Sequence, residues 1–311
     1  MAMNRVQFQR GLSMAEFFAQ YGSDELCESV LVKVRWPGGF VCPECDCRAH
    51  SCFRREGRLY WQCSDCRHQY SVISGTIFES SKLGLSRWFL AMHLLTQAKN
   101  NVSALELKRH LGVCYKTAWL LKHKLMEVMR LREEDRRLTG RVEIDDAYLG
   151  GERTGGKVGR GSENKVPFVA AVQTTEDGQP ELVCLSQQRF TSEAVLAFAA
   201  RSLVRPLTVV SDGLGCFIAS EKAGVHERVV TGGGKAAVKL PQFRAINTVL
   251  SNLKTGISGT YHAFKFAKYT HRYLGEFQYR FNRRFNLRSI LQRLVVAAID
   301  TEPYALDVIR G

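Results

Sequence analysis

Two aspartates, Asp145 and Asp212, stand where apolar segments end, which is a placement that suits metal-dependent chemistry. Asp145 lies in the run VEIDDAYLGG, and Asp212 ends the apolar run LTVVSDG. A carboxylate at the end of a buried strand costs free energy unless a partner compensates its charge. Two such carboxylates on neighbouring strands can converge on a divalent cation. The alternative is that each aspartate only caps the turn after its strand.

A second constellation consists of two C-x2-C pairs that are separated by seventeen residues. Two residues between thiolates let both sulfurs reach one ion, and two such pairs complete a tetrahedral all-sulfur site. We predict a structural zinc site, closed to chemistry, whose ligands are Cys42, Cys45, Cys63 and Cys66. Chance placement of buried cysteines is the alternative, and nearby Cys47, Cys52 or His68 could replace a ligand.

The charge balance points to a polyanionic partner. The chain carries 44 Lys and Arg against 30 Asp and Glu, a formal net charge of +14. Such an excess attracts nucleic acid, although a basic protein without that role is the simpler explanation. The sequence has no apolar run of transmembrane length and no signal-peptide pattern at its N-terminus, so we expect a cytoplasmic protein with no membrane partner.

The elements that must position these residues follow from composition and periodicity. We predict short helices over residues 1–35, a zinc ribbon over 36–80, a helical region over 81–138 and an α/β domain over 139–311. In the last domain, β-rich runs around Asp145, after Lys165 and before Asp212 alternate with an apolar helix that Ser192 caps. A long helical stretch is predicted from about Asn247 to Ile299. This pattern indicates a mixed sheet with helices on its faces.

Within the helical region, NVSALELKRHLGVCYKTAWLLKHKL has the form of a helix-turn-helix. Ser103 caps the first helix, Gly112 lies in the turn, and Tyr115 begins the second helix. The basic residues on that second helix are candidates for DNA binding: Lys116, Lys122 and Lys124. Two ordinary packed helices would give the same pattern.

The motifs together resemble the bacterial insertion-sequence DDE transposases that carry a zinc ribbon ahead of the catalytic domain. VEIDDAYLGG is similar to the first-acid strand of that family, SDG to the second-acid motif, and NTVLSNLKTGISGTYH to the third, with its GTYH ending. The resemblance covers nearly the whole chain. It implies an RNase H-like catalytic domain in which Asp145 and Asp212 hold divalent metal.

The third metal ligand implied by the resemblance is Asn247. Most DDE enzymes have a Glu there, followed seven positions later by a Lys, and counting back seven from Lys254 gives Asn247. Part of the subgroup uses Asn at this place. An amide oxygen can coordinate Mg²⁺ with less charge compensation than a carboxylate. Asn252 is a competing candidate, and Asp146 and Glu143 are secondary acids.

The implied activity is metal-dependent cleavage and strand transfer at the terminal inverted repeats of an insertion sequence. Two divalent ions about 4 Å apart, Mg²⁺ or Mn²⁺, would activate first water and then a DNA 3′-hydroxyl. The partners would be double-stranded element ends and target DNA, bound by at least a dimer that is associated with the nucleoid. Further candidates for phosphate contact are Lys157 and Arg160 in a Gly-rich loop, and Arg283 and Arg284 near the C-terminus.

Two other functions are compatible with the same motifs. A DNA-binding regulator could be built from the ribbon and the helix-turn-helix, but it leaves about 170 C-terminal residues unexplained. An RNase H-like nuclease that cuts without joining would use the same carboxylates. A catalytically inactive copy is a further possibility because of Asn247.

Overall fold

The computed structural model describes residues 6, 8–150, 165–230, 240–261 and 266–310. The helices over these ranges are, in chain order, α1 (Met14–Tyr21), α2 (Asp24–Arg35), α3 (Leu85–Gln97), α4 (Ala104–Leu111), α5 (Tyr115–Arg132), α6 (Ser192–Ser202), α7 (Arg244–Ser258), α8 (Phe266–Asn282), α9 (Ile290–Ile299) and α10 (Leu306–Arg310). The strands are β1 (His50–Arg55), β2 (Arg58–Cys63), β3 (Gln69–Ser71), β4 (Leu138–Leu149), β5 (Val166–Thr174), β6 (Pro180–Gln187), β7 (Leu203–Ser211) and β8 (Val225–Arg228). None of the described helices combines the length and the apolar character that crossing a lipid bilayer requires.

The chain forms two compact units. One comprises residues 1–98, 104–128 and 286–311, and the other comprises residues 99–103 and 129–285. This division differs from the predicted boundaries, because helix α9, near the C-terminus, belongs to the first unit and packs on α2 and α3. Most apolar residues of α9 are buried there, and Leu291 and Leu294 are fully buried.

The second unit is built on a five-stranded sheet with the order β6-β5-β4-β7-β8. Strands β6, β5 and β4 pair antiparallel, whereas β7 and β8 run parallel to β4. Helix α6 buries Val195 and Phe198 against Val142 and Ile144 of β4 in one hydrophobic core. Helix α7 packs against β4 and β5. The predicted mixed α/β sheet with helices on its faces is thereby confirmed.

The alternation of side chains along β4 decides what faces each side of the sheet. Successive residues of a strand point to opposite faces, so Val142 and Ile144 enter the core beneath α6 while Glu143 and Asp145 face the other side. Apolar residues thus hold the strand in place, and the acids of the same strand are presented to α7.

Four details of the predicted elements were wrong. The apolar helical pattern predicts Ser86 as the N-cap of α3, but the helix begins at Leu85 with Gly84 as its N-cap. Ser86 instead binds Asp24 Oδ1 through its hydroxyl (2.6 Å) and its amide (2.8 Å). Thr191, not Ser192, caps α6. The predicted helical stretch from Asn247 is interrupted twice and forms α7, α8 and α9. Strand β8 was missed because it is a short, largely exposed edge strand without an alternating pattern.

Helix α8 closes the other edge of the sheet. The side chain of Gln278 accepts a hydrogen bond from the Leu185 amide (2.9 Å), and Asn282 bonds to both the amide (2.8 Å) and the carbonyl (2.9 Å) of Val183. These contacts pair backbone groups of β6 that an edge strand would leave open to another chain.

Candidate metal centres and active site

The structure brings Asp145 and Asp212 together. In the parallel pairing of β4 with β7, Ile144 lies opposite Ser211, so the next residues, Asp145 and Asp212, follow side by side. Carboxylate oxygens of Asp145, Asp146 and Asp212 lie within 4.8 Å of one another. Hard oxygen donors at this separation suit Mg²⁺ or Mn²⁺.

Electrostatics make this cluster a site that favours a cation. Burial first, and then the negative charges of Asp146 and Asp212, raise the pKa of Asp145 to about 7, against the opposing effects of the Asp146 amide and Lys254. The Asp146 amide donates to Asp145 Oδ1 at 2.9 Å. Like-charged carboxylates in a buried place cannot all ionise at low cost unless positive charge joins them. The residues present therefore fit a divalent metal.

Asp212 is held by a tight turn that needs the following glycine. Its Oδ1 accepts a hydrogen bond from the Leu214 amide at 3.1 Å. Gly213 has a φ of +89°, in the left-handed region that other residues rarely adopt. A Cβ at this position would also approach Arg228 Nε to 3.0 Å, because Arg228 Nη2 donates to the Gly213 carbonyl at 2.8 Å. The backbone geometry of the turn thus requires the glycine of the SDG motif, and the carboxylate cluster requires its aspartate.

A buried hydrogen bond supports the strand that presents Asp212. Ser211 Oγ and His226 Nε2 lie 2.8 Å apart, and the Ser211 side chain is fully buried. The bond joins β7 to β8 directly behind the aspartate. No sequence signal identified it, because serine and histidine are common in strands for many reasons.

Asn247 and Lys254 both lie on α7, seven residues apart and therefore on one face of the helix. Asn247 is half-buried near the N-terminal end, whereas Lys254 is exposed. The Lys254 ammonium is close enough to lower the pKa of Asp145. Asn252, the competing candidate, is exposed. The sequence prediction had treated Asp146 as a secondary acid, yet it belongs to the carboxylate cluster, and its only sequence signal was adjacency to Asp145.

The four predicted zinc ligands form one cluster in the first unit. Sulfur atoms of Cys42, Cys45, Cys63 and Cys66 lie within 4.8 Å of one another. The Cys42–Cys66 and Cys45–Cys63 Sγ distances are 3.5 and 3.6 Å. A tetrahedral site with Zn–S bonds of about 2.3 Å requires sulfurs slightly under 4 Å apart. The donor set therefore fits zinc.

The two C-x2-C segments have matching backbone geometry. The Cys42 amide donates to the Cys47 carbonyl and the Cys63 amide to the His68 carbonyl, each at 3.0 Å. The residue after each second cysteine, Asp46 and Arg67, adopts a positive φ of 58° and 61°. Cys47 and His68 thus use their backbones to shape the two turns, which supports the predicted all-cysteine ligand set.

The predicted DNA-contacting residues differ in how exposed their side chains are. Lys116 is exposed in the first turn of α5, which follows α4 and a turn in which Gly112 has a φ of +64°. Lys124 is half-buried, and burial lowers its pKa. Lys157 and Arg160 lie outside the described residues.

Three predicted phosphate contacts were wrong because the side chains are occupied within the fold. Lys122 is 2% exposed. Arg283 is 7% exposed and forms an ion pair with the buried Glu133. Arg284 donates to the carbonyls of Pro180, Glu181 and Phe281, and burial lowers its pKa to about 10. Arg284 thereby fixes the end of α8 to the edge strand β6, whereas Arg283 binds Glu133, just after the end of α5.

Comparison with known proteins places these features in one family. Residues 137–282 match the ISXO2-like transposase domain, and residues 22–69 match the transposase zinc-ribbon domain. An uncharacterized protein in transposable element ISH50 of Halobacterium salinarum is 30% identical over 234 residues, which are 68% of this chain and 76% of that protein. The solved Mos1 transposase paired-end complex with left transposon end matches with 8% identity and a TM-score of 0.26, over 69% of this chain and 79% of that chain, a similarity too low to carry a structural argument. The chain belongs to the insertion-sequence transposases that join an N-terminal zinc ribbon to an ISXO2-like catalytic domain.

Proposed function

We propose that this transposase binds the terminal inverted repeats of its insertion sequence, cuts a DNA strand there and joins the new end to target DNA. The observation that carries this proposal is the cluster of Asp145, Asp146 and Asp212 beside a helix that bears Asn247 and Lys254. A cluster of three half-buried carboxylates has a physical reason to exist if it holds cations against a phosphodiester. The net charge of +14 supports a polyanionic substrate.

In the proposed site, Asp145 and Asp212 are the carboxylate ligands of Mg²⁺ or Mn²⁺, and Asn247 adds an amide oxygen. Divalent ions bound there supply positive charge to the scissile phosphate and activate the attacking oxygen. Asp146 contributes a further anionic oxygen beside Asp145. This extra negative charge compensates for the neutral side chain of Asn247, at the position where most DDE enzymes have a Glu.

Lys254 has a separate proposed role on the DNA side of the site. Its exposed ammonium lies on the same face of α7 as Asn247 and interacts electrostatically with Asp145. It would bind a phosphate oxygen of the strand being cut and keep the phosphorus in line with the attacking group. Water would first attack the scissile phosphorus and displace the 3′-oxygen, which leaves as a 3′-hydroxyl. That 3′-hydroxyl would then attack a target phosphodiester, forming a bond to its phosphorus while the bond from that phosphorus to the target's own 3′-oxygen breaks.

DNA recognition is assigned to residues away from the carboxylates. Lys116 lies where the second helix of the helix-turn-helix begins, the end that meets base edges or phosphates in such motifs. Lys157, Arg160 and the half-buried Lys124 are further candidates. In the ribbon, Arg54 is held by Glu28 at 2.9 Å and Arg55 by Gln69 at 3.1 Å, so Arg48 and Arg67 are the better candidates for phosphate contact. Zinc has a structural role there. Because transposition joins two ends, at least a dimer is proposed.

The test is incubation of the purified protein with Mg²⁺ and DNA that carries the ends of its own element. We expect strand cleavage at the ends and joined products with target DNA, both lost in Asp145→Ala and Asp212→Ala variants that still bind the ends. Cleavage without joined products would favour a nuclease, and specific binding without cleavage would favour a regulator. Metal-dependent cleavage retained by either variant would overturn the assignment of the site.

A further inference from the structure

Glu143 is a buried acid of the second unit that the proposed chemistry does not use. It lies on β4 two residues before Asp145, and its side chain is 2% exposed. Among the described residues, the carboxylates that lie within 4.8 Å of one another at this site do not include Glu143. A buried carboxylate costs free energy unless donors satisfy it, so its partners indicate what it is for.

The partners of Glu143 are the first amides of α7. Glu143 Oε2 accepts a hydrogen bond from the Ile246 amide at 2.9 Å. The pKa of Glu143 is raised by burial, and the amides of Ile246 and Ala245 together with Arg141 oppose that shift by favouring the ionised form. The carboxylate therefore lies at the helix end where unpaired N–H groups and the positive end of the helix dipole meet.

Helix α7 has no cap of its own. Its N-cap residue is Phe243, whose side chain has no hydrogen-bonding atom, and over the described residues the N-cap makes no side-chain hydrogen bond to the first turn. Most helices that begin inside a protein use a Ser, Thr, Asp or Asn for this purpose. Here the missing cap is supplied from the sheet, over a sequence separation of 103 residues.

Arg141 strengthens the same attachment. Its Nη2 atom lies 3.6 Å from Glu143 Oε1 and donates to the Gln242 carbonyl at 3.2 Å, in the turn that leads into α7. Glu143 and Arg141 thus fix the start of the helix to β4 at two points. The residue that follows the Ile246 contact is Asn247.

We propose that Glu143 is a positioning residue that sets the placement of Asn247 and Lys254 relative to Asp145 by anchoring α7 to β4. Asp145 lies on β4 and Asp212 directly follows the neighbouring β7, whereas the third ligand and the lysine lie on α7. The site is therefore complete only when α7 keeps a fixed position relative to these strands. Glu143 lies on the same face of β4 as Asp145 and joins the two elements next to the site. This inference rests on the proposed function of Asn247 and Lys254.

The experiment compares wild type with Glu143→Gln, Glu143→Ala and a matched control, Glu227→Gln. Glu227 lies 4.0 Å from Arg141 and is 59% exposed, so the control removes the same charge near the same arginine without touching α7. Hydrogen exchange of residues 244–248 is measured first, without added Mg²⁺ or Mn²⁺. We expect roughly tenfold faster exchange in Glu143→Ala, a smaller increase in Glu143→Gln, whose amide oxygen still accepts, and none in the control.

Single-turnover cleavage of end DNA is then measured at saturating Mg²⁺ and DNA, well below the melting temperature of each variant. A loss of position by about 1 Å predicts a rate roughly a hundredfold lower in Glu143→Ala, with partial recovery in Glu143→Gln and unchanged DNA affinity. A residue that only stabilises the fold would lower the melting temperature and leave this rate alone.

Two results would overturn the proposal: unchanged exchange at residues 244–248 in Glu143→Ala, or faster exchange with a wild-type cleavage rate. If wild type itself cuts no end DNA, the proposed function fails and titration calorimetry with Mn²⁺ replaces the cleavage measurement. Weaker Mn²⁺ binding in Glu143→Ala would then support positioning of the oxygen ligands, and unchanged binding would refute it.

Discussion

Replacement of Asp145 by Asn should make the metal-free protein more stable, although the same change should abolish cleavage. The fold raises the pKa of the Asp145 carboxyl to about 7, first by burial and then by the charges of Asp146 and Asp212. A carboxyl whose pKa is raised in the folded state favours folding while it is protonated. That contribution is complete below about pH 4 and is lost as the pH rises through about 7.

The size of the effect follows from the pKa values. The fold raises the pKa of Asp145 from 3.8 to about 7, and each pKa unit corresponds to about 1.4 kcal/mol. Above pH 7, ionised Asp145 therefore lowers the free energy of unfolding of the metal-free protein by about 4 kcal/mol. Asn removes that cost, and its side-chain oxygen can still accept a hydrogen bond from the Asp146 backbone amide. Burial of the Asn side-chain amide, however, costs about 1–3 kcal/mol. We expect a net gain of about 2 kcal/mol, or about 4–8 °C in melting temperature for a unit of this size.

The assay is differential scanning calorimetry of wild type and Asp145→Asn between pH 4.5 and pH 8.5. The buffer is stripped of Mg²⁺ and Mn²⁺ but contains no strong chelator, which would remove zinc from the ribbon. Asp177→Asn is the matched control, because Asp177 is an exposed aspartate whose pKa is lowered by its hydrogen bond to Thr175. Added Mg²⁺ should raise the melting temperature of wild type more than that of Asp145→Asn.

Either of two results would contradict the prediction for Asp145→Asn. Asp145→Asn could be no more stable than wild type at pH 8, which would mean that the cluster does not destabilise the ionised acid. Alternatively, the difference between the two proteins could be equal at pH 5 and pH 8, which would assign the effect to something other than titration of this carboxyl.

Further predictions concern four other candidate residues. Lys116→Ala should weaken binding of end DNA and reduce its salt dependence without changing the melting temperature. Arg283→Ala should instead lower the free energy of unfolding by about 3 kcal/mol, measured by calorimetry, because it leaves the buried Glu133 with fewer hydrogen-bond donors. The opposite pattern would restore Arg283 as a DNA contact. Cys63→Ser should lose the bound zinc, as measured by native mass spectrometry, and zinc retained at wild-type stoichiometry would remove Cys63 from the ligand set. Asn247→Ala should lower the cleavage rate and Asn247→Glu should retain metal-dependent cleavage; wild-type cleavage by the Ala variant would show that Asn247 is not a ligand.

Much of the fold could be predicted because its signals are local. The paired C-x2-C spacing identifies two matching turns, and the alternation around Asp145 identifies a strand with one apolar face. Helix boundaries were less accurate, as at Ser86, where the side chain binds a distant Asp24 and does not cap the helix. Strand β8 could not be predicted because an exposed four-residue edge strand lacks the alternation that marks a buried one.

Charge was the property that the sequence described least well. A count of basic residues suggests DNA contact wherever they cluster, but Lys122 and Arg283 are buried, and Arg284 binds backbone carbonyls of the sheet edge. An arginine in an amphipathic helix can serve phosphate or the fold, and the sequence contains no periodicity that separates the two uses. The choice depends on which neighbour lies opposite, which is a tertiary property.

The sequence by itself determined the chemistry that this protein offers: four thiolates spaced for zinc, one aspartate within an apolar strand and one at the end of another, and a helix with Asn247 and Lys254 two turns apart. These follow from short-range spacing, since bond geometry fixes where residues a few positions apart can point. Only the tertiary structure decided that Asp146 joins the carboxylate cluster and that Glu143 holds the start of α7. Those contacts link residues that are far apart in the chain or whose side chains a regular strand would point to opposite faces, so only the packed sheet and helix bring them together.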